Sequence, residues 1–541
     1  GGGVSGGGGL GGSGGVIWWG GGLGELDGGD PSAPRPDGRS GRDDKGYPVI
    51  DGRGAWVVPG LIDMHAHIRS GDELPLHLLN GVTTIANLSG NPEHLAMRAA
   101  VAAGERDGPT IYTAGPTLDG DPPRNPRFRP LGDAAAAERA VREQAEAGYD
   151  FIKIYDLIEE EAYRAAVDTA RELGLPVAGH IPKRLGLAGV LDGHDLIAHA
   201  EEYFYTFFQN EADRARLDEA ARLTAEAGVT VCPNTGFIGG ILDQVDDIEA
   251  VLAAPEVRYV PASTRLAWLP ETNRYLGRDD EWVARNRRMH PFLVDLTGAL
   301  HRGGVRLVVG TDAPVPGAVP GFAMFTELAD LEAAGLSAEE ILRAATANAG
   351  EWIAEHLGPE HPPGAIVPGR SADLLLLDAD PRADWRVLQT GLRSVVARGR
   401  WIDLDELRTE LDARAATYEA DLEPYERFRD AVAAGELALA EEILASEANE
   451  VLGESAVNRL GYYWLYRRDD PATAVAVFEM NTRFAPESAN VWDSLGEALR
   501  AAGRTAEAIA GDPKSLELDP ENSNPERMIA EMEAEMEASM E

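Results

Sequence analysis

The sequence predicts an α/β protein: a TIM-type (β/α)8 barrel, a small β-sandwich made from both flanks of that barrel, and a C-terminal α-helical domain. Three observations predict it. Strand-like and helix-like segments alternate between Pro59 and about Leu357, as in parallel α/β domains. Five short apolar segments within that stretch each carry a potential metal ligand: LIDMHAHI (61–68), FIKIYD (151–156), PVAGHI (176–181), LIAHA (196–200) and LVVGTDA (307–313). Beyond about Asp403 the composition turns helical and rich in Ala, Glu and Leu.

Residues 1–59 are read as a Gly-rich N-terminus and the first part of the sandwich. Glycine dominates residues 1–29, but Val16-Ile17-Trp18-Trp19 interrupts it, and adjacent tryptophans suit a strand better than a flexible linker. From Tyr47 the run YPVIDGRGAWVVPG holds two short β-like pieces around a Gly-rich turn. Its counterpart is 358–405, where GAIVPGRSADLLLLDADP and LRSVVARGRWI are again β-rich.

The barrel is expected over 60–357. Segments 81–88, 110–115 and 230–234 bring the strand candidates to eight, and about 300 residues suit eight βα units. Helices are expected over 134–148 and 160–174, each closed by a Gly at its C-terminus.

Residues 406–541 form the helical region. Ala474 and Pro486 recur 34 residues on as Ala508 and Pro520, and Trp492, Leu495 and Gly496 resemble the WxxLG signal of a tetratricopeptide repeat. The second unit has Asp512 where the first has Phe478. The last stretch, 528–541, reads as an acidic helix or a frayed tail.

Composition narrows the function. Acidic residues outnumber basic ones 91 to 49, a net charge of −42. That disfavours nucleic acid and anionic lipid as partners, since both need a basic surface. Hydrophobic residues make up 44%, enough for sizeable cores. The one cysteine, Cys232, excludes an internal disulfide framework. No run is long and apolar enough for a membrane span. The compartment stays open, because a chain beginning with Gly could have lost a leader. Lysine occurs only at Lys45, Lys153, Lys183 and Lys514, so a lysine inside the apolar FIKIYD segment stands out.

His65 and His67 lie two apart on a strand and project to one face, which in a barrel is the interior near the catalytic mouth. A buried Lys153 would lose its proton and could add carbon dioxide, giving a carbamate whose oxygens bridge two cations. The alternative is a lysine that snorkels outward or pairs with Asp156. His180 and His199 end the next two strands and read as ligands of a second metal. Asp312 can ligate a metal and accept a proton from bound water. For substrate contacts, Tyr155 follows Lys153 by two, Lys183 follows His180, and Arg124 sits with Arg127 and Arg129 in the loop after the third strand. Tyr203 belongs to an aromatic cluster with Phe204, Tyr205, Phe207 and Phe208. His194 lies at the opposite end of its strand from the chemistry and reads as structural.

PGLIDMHAHI, FIKIYD, AGHIP, IAHA and GTDAP resemble the metal-binding landmarks of the amidohydrolase superfamily over roughly 47–405. NGVTTIANLSGNPEHLAMR, GPTIYTAGPTLDG and SADLLLLDADP resemble its imidazolonepropionase-like and prolidase-like branch. The resemblance implies a binuclear centre: His65, His67 and Asp312 on one metal, His180 and His199 on the other, and carboxylated Lys153 between them. The expected ions are zinc, with manganese or iron as alternatives. They would activate a bridging water for attack on a C–N amide bond of a peptide, N-acyl amino acid or cyclic amide, with Asp312 moving the proton to the leaving nitrogen. A dipeptidase is one such enzyme, and relatives imply a homo-oligomer, for which the helical region is a candidate surface. Two features depart from the pattern: Ala198 stands where the family often has Glu, with Glu201 and Glu202 following, and Ile181-Pro182-Lys183 replace a Tyr common in prolidase-like members. A lactonase or cyclic-imide hydrolase is one alternative reading. An assembly protein using its helical repeats is another.

Overall fold

The computed structural model describes residues 16–18, 39–42, 48–52 and 54–519. It divides into two units, Gly1–Asp243 with Asp280–Leu411, and Gln244–Asp279 with Asp412–Glu541. A 36-residue excursion from the middle of the chain thus groups with the C-terminal region.

The first unit is built on parallel strands. The main ones in chain order are Leu61–Ala66, Val82–Asn87, Thr110–Thr113, Ile152–Ile154, Val177–Gly179, Leu196–Ala198 and Thr230–Cys232, with the two-residue strands Leu118–Asp119 and Arg129–Pro130 added beside Ile152–Ile154. The first three pair in sequence, as do the last four. Most are buried along their whole length, which explains why they read as apolar runs and not as alternating ones. Alternation still decides direction. Ile62 and Met64 join an apolar cluster with Trp352 and Ile353, while Asp63 and His65 turn the other way.

The ladder is not one continuous closed sheet. Between the third and fourth strands it narrows to the bridge Ala114↔Phe151, and around 307–313 to Val231↔Leu307 and Ala66↔Ala313. The strand expected over 307–313 is therefore reduced to isolated parallel bridges. Its far end leaves extended geometry altogether, since Asp312 takes a left-handed φ of 57°. Helices Ala134–Ala147 and Glu160–Leu173 cover the strands and end, as the sequence predicts, on glycines at positive φ, Gly148 and Gly174.

Both flanks contribute to an antiparallel sheet ordered Arg400–Ile402, Leu392–Ala397, Leu374–Leu377, Trp56–Pro59. Val58 pairs with Leu375, which ties the chain before the barrel to the chain after it. A three-stranded antiparallel sheet joins Val16–Trp18 and Arg39–Arg42 to Pro48–Asp51, so the tryptophan-bearing interruption of the Gly-rich region is a strand.

The second unit is helical. Tyr425, Phe428, Leu452, Val457 and Leu460 form its core with Leu266 and Leu269 from the excursion. Tyr425 donates to Glu271 Oε1 at 3.0 Å inside that core. Helices Pro471–Phe484, Ala489–Ala501 and Thr505–Leu518 bury Ala474, Phe478, Leu495, Ala498 and Ala508 in a second cluster. Pro520 and the acidic stretch 528–541 lie outside the described residues.

Gly310 marks a close approach beside the first strand. A Cβ there would overlap Cys232 Sγ and come within 2.6 Å of His65 Cβ. Gly310→Ala is therefore expected to destabilise the first unit by about 2 kcal/mol, the usual scale of overpacking. Thermal unfolding checks this, and an unchanged melting temperature would refute the close fit.

Candidate metal centre

The site begins at the seam between the first strand and the 307–313 segment. The backbone N–H groups of Thr311 and Asp312 both donate to the His65 carbonyl, at 3.1 and 2.7 Å. Buried Asp63 reinforces the seam: Oδ1 accepts from the His65 and Thr311 amides, each at 3.1 Å, and Oδ2 from the Thr311 hydroxyl at 2.7 Å. Burial pushes the Asp63 carboxyl up to about 7, against the pull of these hydrogen bonds.

This seam brings Asp312 Oδ1 within 3.2 Å of His65 Nε2 and 2.8 Å of His67 Nε2. Burial alone would raise the Asp312 carboxyl, but the His65, His67 and His199 imidazoles hold it well below the usual range. His65 is itself driven down to about 4 by burial, so its ring is neutral near pH 7. Its one proton is spoken for. Nδ1 donates to Asn234 Oδ1 at 3.1 Å, and Asn234 is oriented by donating to the Gly310 carbonyl at 2.7 Å. His65 Nε2 and His67 Nε2 thus converge on one Asp312 oxygen, an arrangement that a cation could also occupy.

A second group lies just beyond the fourth, fifth and sixth strands. His180 Nδ1 is 2.8 Å from Asp156 Oδ1 and 2.8 Å from Glu202 Oε1. Burial would depress His180, but Glu202 and Asp156 hold it up, to about 9. His199 joins the two groups, with its ring centroid 4.6 Å from His65 and 4.8 Å from His180. Its φ of 72° is unusual for a residue other than glycine, as is the φ of Asp312; such strain gathers at functional sites.

Lys153 is 2% exposed, and its Nζ has no hydrogen-bond partner among the described residues. Burial lowers its pKa to about 8, opposed by the charges of Asp312, Glu202 and Asp156, so the amine stands within electrostatic reach of both groups. His199 Nδ1 and Glu202 Oε2 are likewise buried without a partner. Such atoms are rare in folded proteins. Together with an imidazole and carboxylate donor set, they fit divalent cations. Two groups could hold one each, His65–His67–Asp312 and Asp156–His180–Glu202, with the ligand atoms of each group within 4.8 Å of one another.

The residues expected to meet substrate divide. The Tyr155 ring lies 4.0 Å from the His180 ring and 4.7 Å from Phe128. Lys183 Nζ and Arg124 Nε approach Asp156 Oδ2 at 3.4 and 3.9 Å, and both side chains remain substantially exposed. Tyr203 is not with them: it is fully buried, and its hydroxyl pairs with Thr224 Oγ1 at 3.0 Å, a packing role. His194 bonds the Tyr163 hydroxyl and the His180 carbonyl, in keeping with its structural reading. Sequence reasoning missed Asp63 and Asn234. Asp63 had a usable signal, since it lies two residues before His65 and shares its face. Asn234→Ala strips His65 Nδ1 and the Gly310 carbonyl of their partners. It is expected to cost about 1–3 kcal/mol in denaturant unfolding, and a loss near zero would remove Asn234 from the account.

The amidohydrolase family profile matches residues 56–402. Among solved structures, a bottromycin amidohydrolase is 26% identical with a TM-score of 0.56, covering 71% of this chain and 84% of its own. A putative prolidase from Bifidobacterium longum is 25% identical with a TM-score of 0.48, covering 70% and 92%. An uncharacterized protein of Mycobacterium tuberculosis is 24% identical over 378 residues, 64% of this chain and 85% of its own length. With the match spanning most of the chain, and the candidate metal groups inside it, this protein belongs to the amidohydrolase family, hydrolases acting on C–N bonds.

Proposed function

We propose that the protein hydrolyses amide bonds of a peptide, N-acyl amino acid or cyclic amide at a centre of two divalent ions. The observation that carries this reading is the partnerless buried amine of Lys153, within electrostatic reach of two groups of side chains that could each hold a metal. His65, His67 and Asp312 would hold one ion and His180 and His199 the other. Zinc suits these donors, with manganese or iron as alternatives. When bound, such ions supply an acidified water and polarise the scissile carbonyl.

The chain's own residues do the rest. Lys153, depressed to about 8, has a neutral form whose amine could add carbon dioxide and release a proton, giving a carbamate whose oxygens would help hold the ions. Asp312, held ionised by its imidazole neighbours, would accept a proton on a carboxylate oxygen and return it to the leaving nitrogen. Lys183 and Arg124 offer positive charge beside Asp156 for a substrate carboxylate, and Tyr155 forms an aromatic wall over His180. The helices between 471 and 518 read as a tetratricopeptide-like surface suited to a second copy of the chain.

A panel of dipeptides, N-acyl amino acids, cyclic amides and lactones tests the reading. Chelation is expected to abolish hydrolysis of the amide members, and zinc or manganese to restore it. Lys153→Ala should lower kcat/KM by at least about a hundredfold and retain fewer than two metal equivalents. Full activity in Lys153→Ala would overturn the two-ion mechanism.

A further inference from the structure

We propose that Asp156 and Glu202 are oxygen ligands of the second ion, so that this chain builds a carboxylate-rich subsite around His180 and His199. The inference rests on the two-ion reading above and concerns residues outside the set that the family resemblance supplies.

The geometry starts at His199. Its φ of 72° bends the chain so sharply that the Glu202 amide donates back to the His199 carbonyl at 3.2 Å. That turn seats the Glu202 carboxylate against the neighbouring strand end, with Oε1 2.8 Å from His180 Nδ1. Asp156, two residues beyond the fourth strand, reaches the same nitrogen at 2.8 Å from another element. Three donor atoms from three parts of the chain therefore converge. One nitrogen carries at most one hydrogen, which cannot serve two carboxylate oxygens equally well. A divalent ion at the convergence satisfies all three.

The surroundings point the same way. Glu202 is 2% exposed and its second oxygen has no hydrogen-bond partner among the described residues. The same holds for Nδ1 of His199, whose ring stands 4.8 Å from that of His180. No arginine or lysine forms an ion pair with Glu202 among the described residues, whereas Asp156 keeps its outer oxygen toward Lys183 and Arg124. Carboxylate oxygens favour harder ions, so this subsite suits Mn2+ better than a purely imidazole one would.

Equilibrium dialysis against Mn2+ or Zn2+ with elemental analysis tests the proposal without reference to turnover. The wild-type chain should take two ions. Glu202→Gln should weaken the second Mn2+ at least tenfold and the second Zn2+ less, and Asp156→Asn should act in the same direction. Glu201→Gln, which removes no hydrogen bond or ion pair to His180, should hold both ions. Melting curves recorded in chelator confirm that each variant folds, and either of the two carboxylate variants suffices if the other does not. If Glu202→Gln and Asp156→Asn both keep two Mn2+ at wild-type affinity while Lys153→Ala loses one, the carboxylate ligands are wrong and the two-ion reading stands. If the wild type never holds more than one ion, both fall.

Discussion

The structure depends on one buried seam. Asp63, fully enclosed at the centre of the first unit, collects hydrogen bonds from His65 and Thr311 and so fastens the first strand to a segment 248 residues away. That segment cannot run as a regular strand, because Gly310 is pressed against His65 and Asp312 turns into the left-handed region. Disorder in this stretch would cost the site both Asp312 and the orientation of His65. The local strain at Asp312 is sustained because two amides on the 307–313 segment grip the same His65 carbonyl.

Electrostatics follow from that closure. The interior gathers carboxylates and imidazoles that individually resist burial: Asp63 is pushed up to about 7 and His65 down to about 4, each by loss of water. Asp312 and His180 escape the same fate because opposite partners stand within hydrogen-bond distance. The result is two acceptor-rich groups within electrostatic reach of a lysine whose amine has no hydrogen-bond partner among the described residues. Protons can satisfy such an arrangement only partly. Divalent cations, which accept several ligands at once, satisfy it better.

Much of this was legible in the sequence, for a physical reason. Buried parallel strands read as apolar runs, and a polar residue at the end of such a run stands out against them, as His65, Lys153, His180 and His199 do. Gly148 and Gly174 announced helix ends because positive φ favours glycine. Glu202 was harder. Its position depends on a left-handed turn at His199, a conformation that no residue type there signals. Tyr203 was ambiguous because an aromatic cluster on a short helix serves a core as readily as a pocket, and its hydroxyl partner, Thr224, lies on a different helix. The regrouping of Gln244–Asp279 with the C-terminal helices was illegible for a related reason: it rests on Leu266, Leu269 and Glu271 meeting side chains more than 150 residues away.

The central claim is that side chains from distant segments share a pair of cations, and anomalous X-ray scattering from crystals grown with Mn2+ or Zn2+ addresses it directly. The account predicts two peaks roughly 3.5–4 Å apart, the usual spacing of two-ion sites, one beside Asp312 and one beside His180, with continuous density from Lys153 between them. A single peak, or two peaks with the Lys153 amine turned away from both, would contradict it.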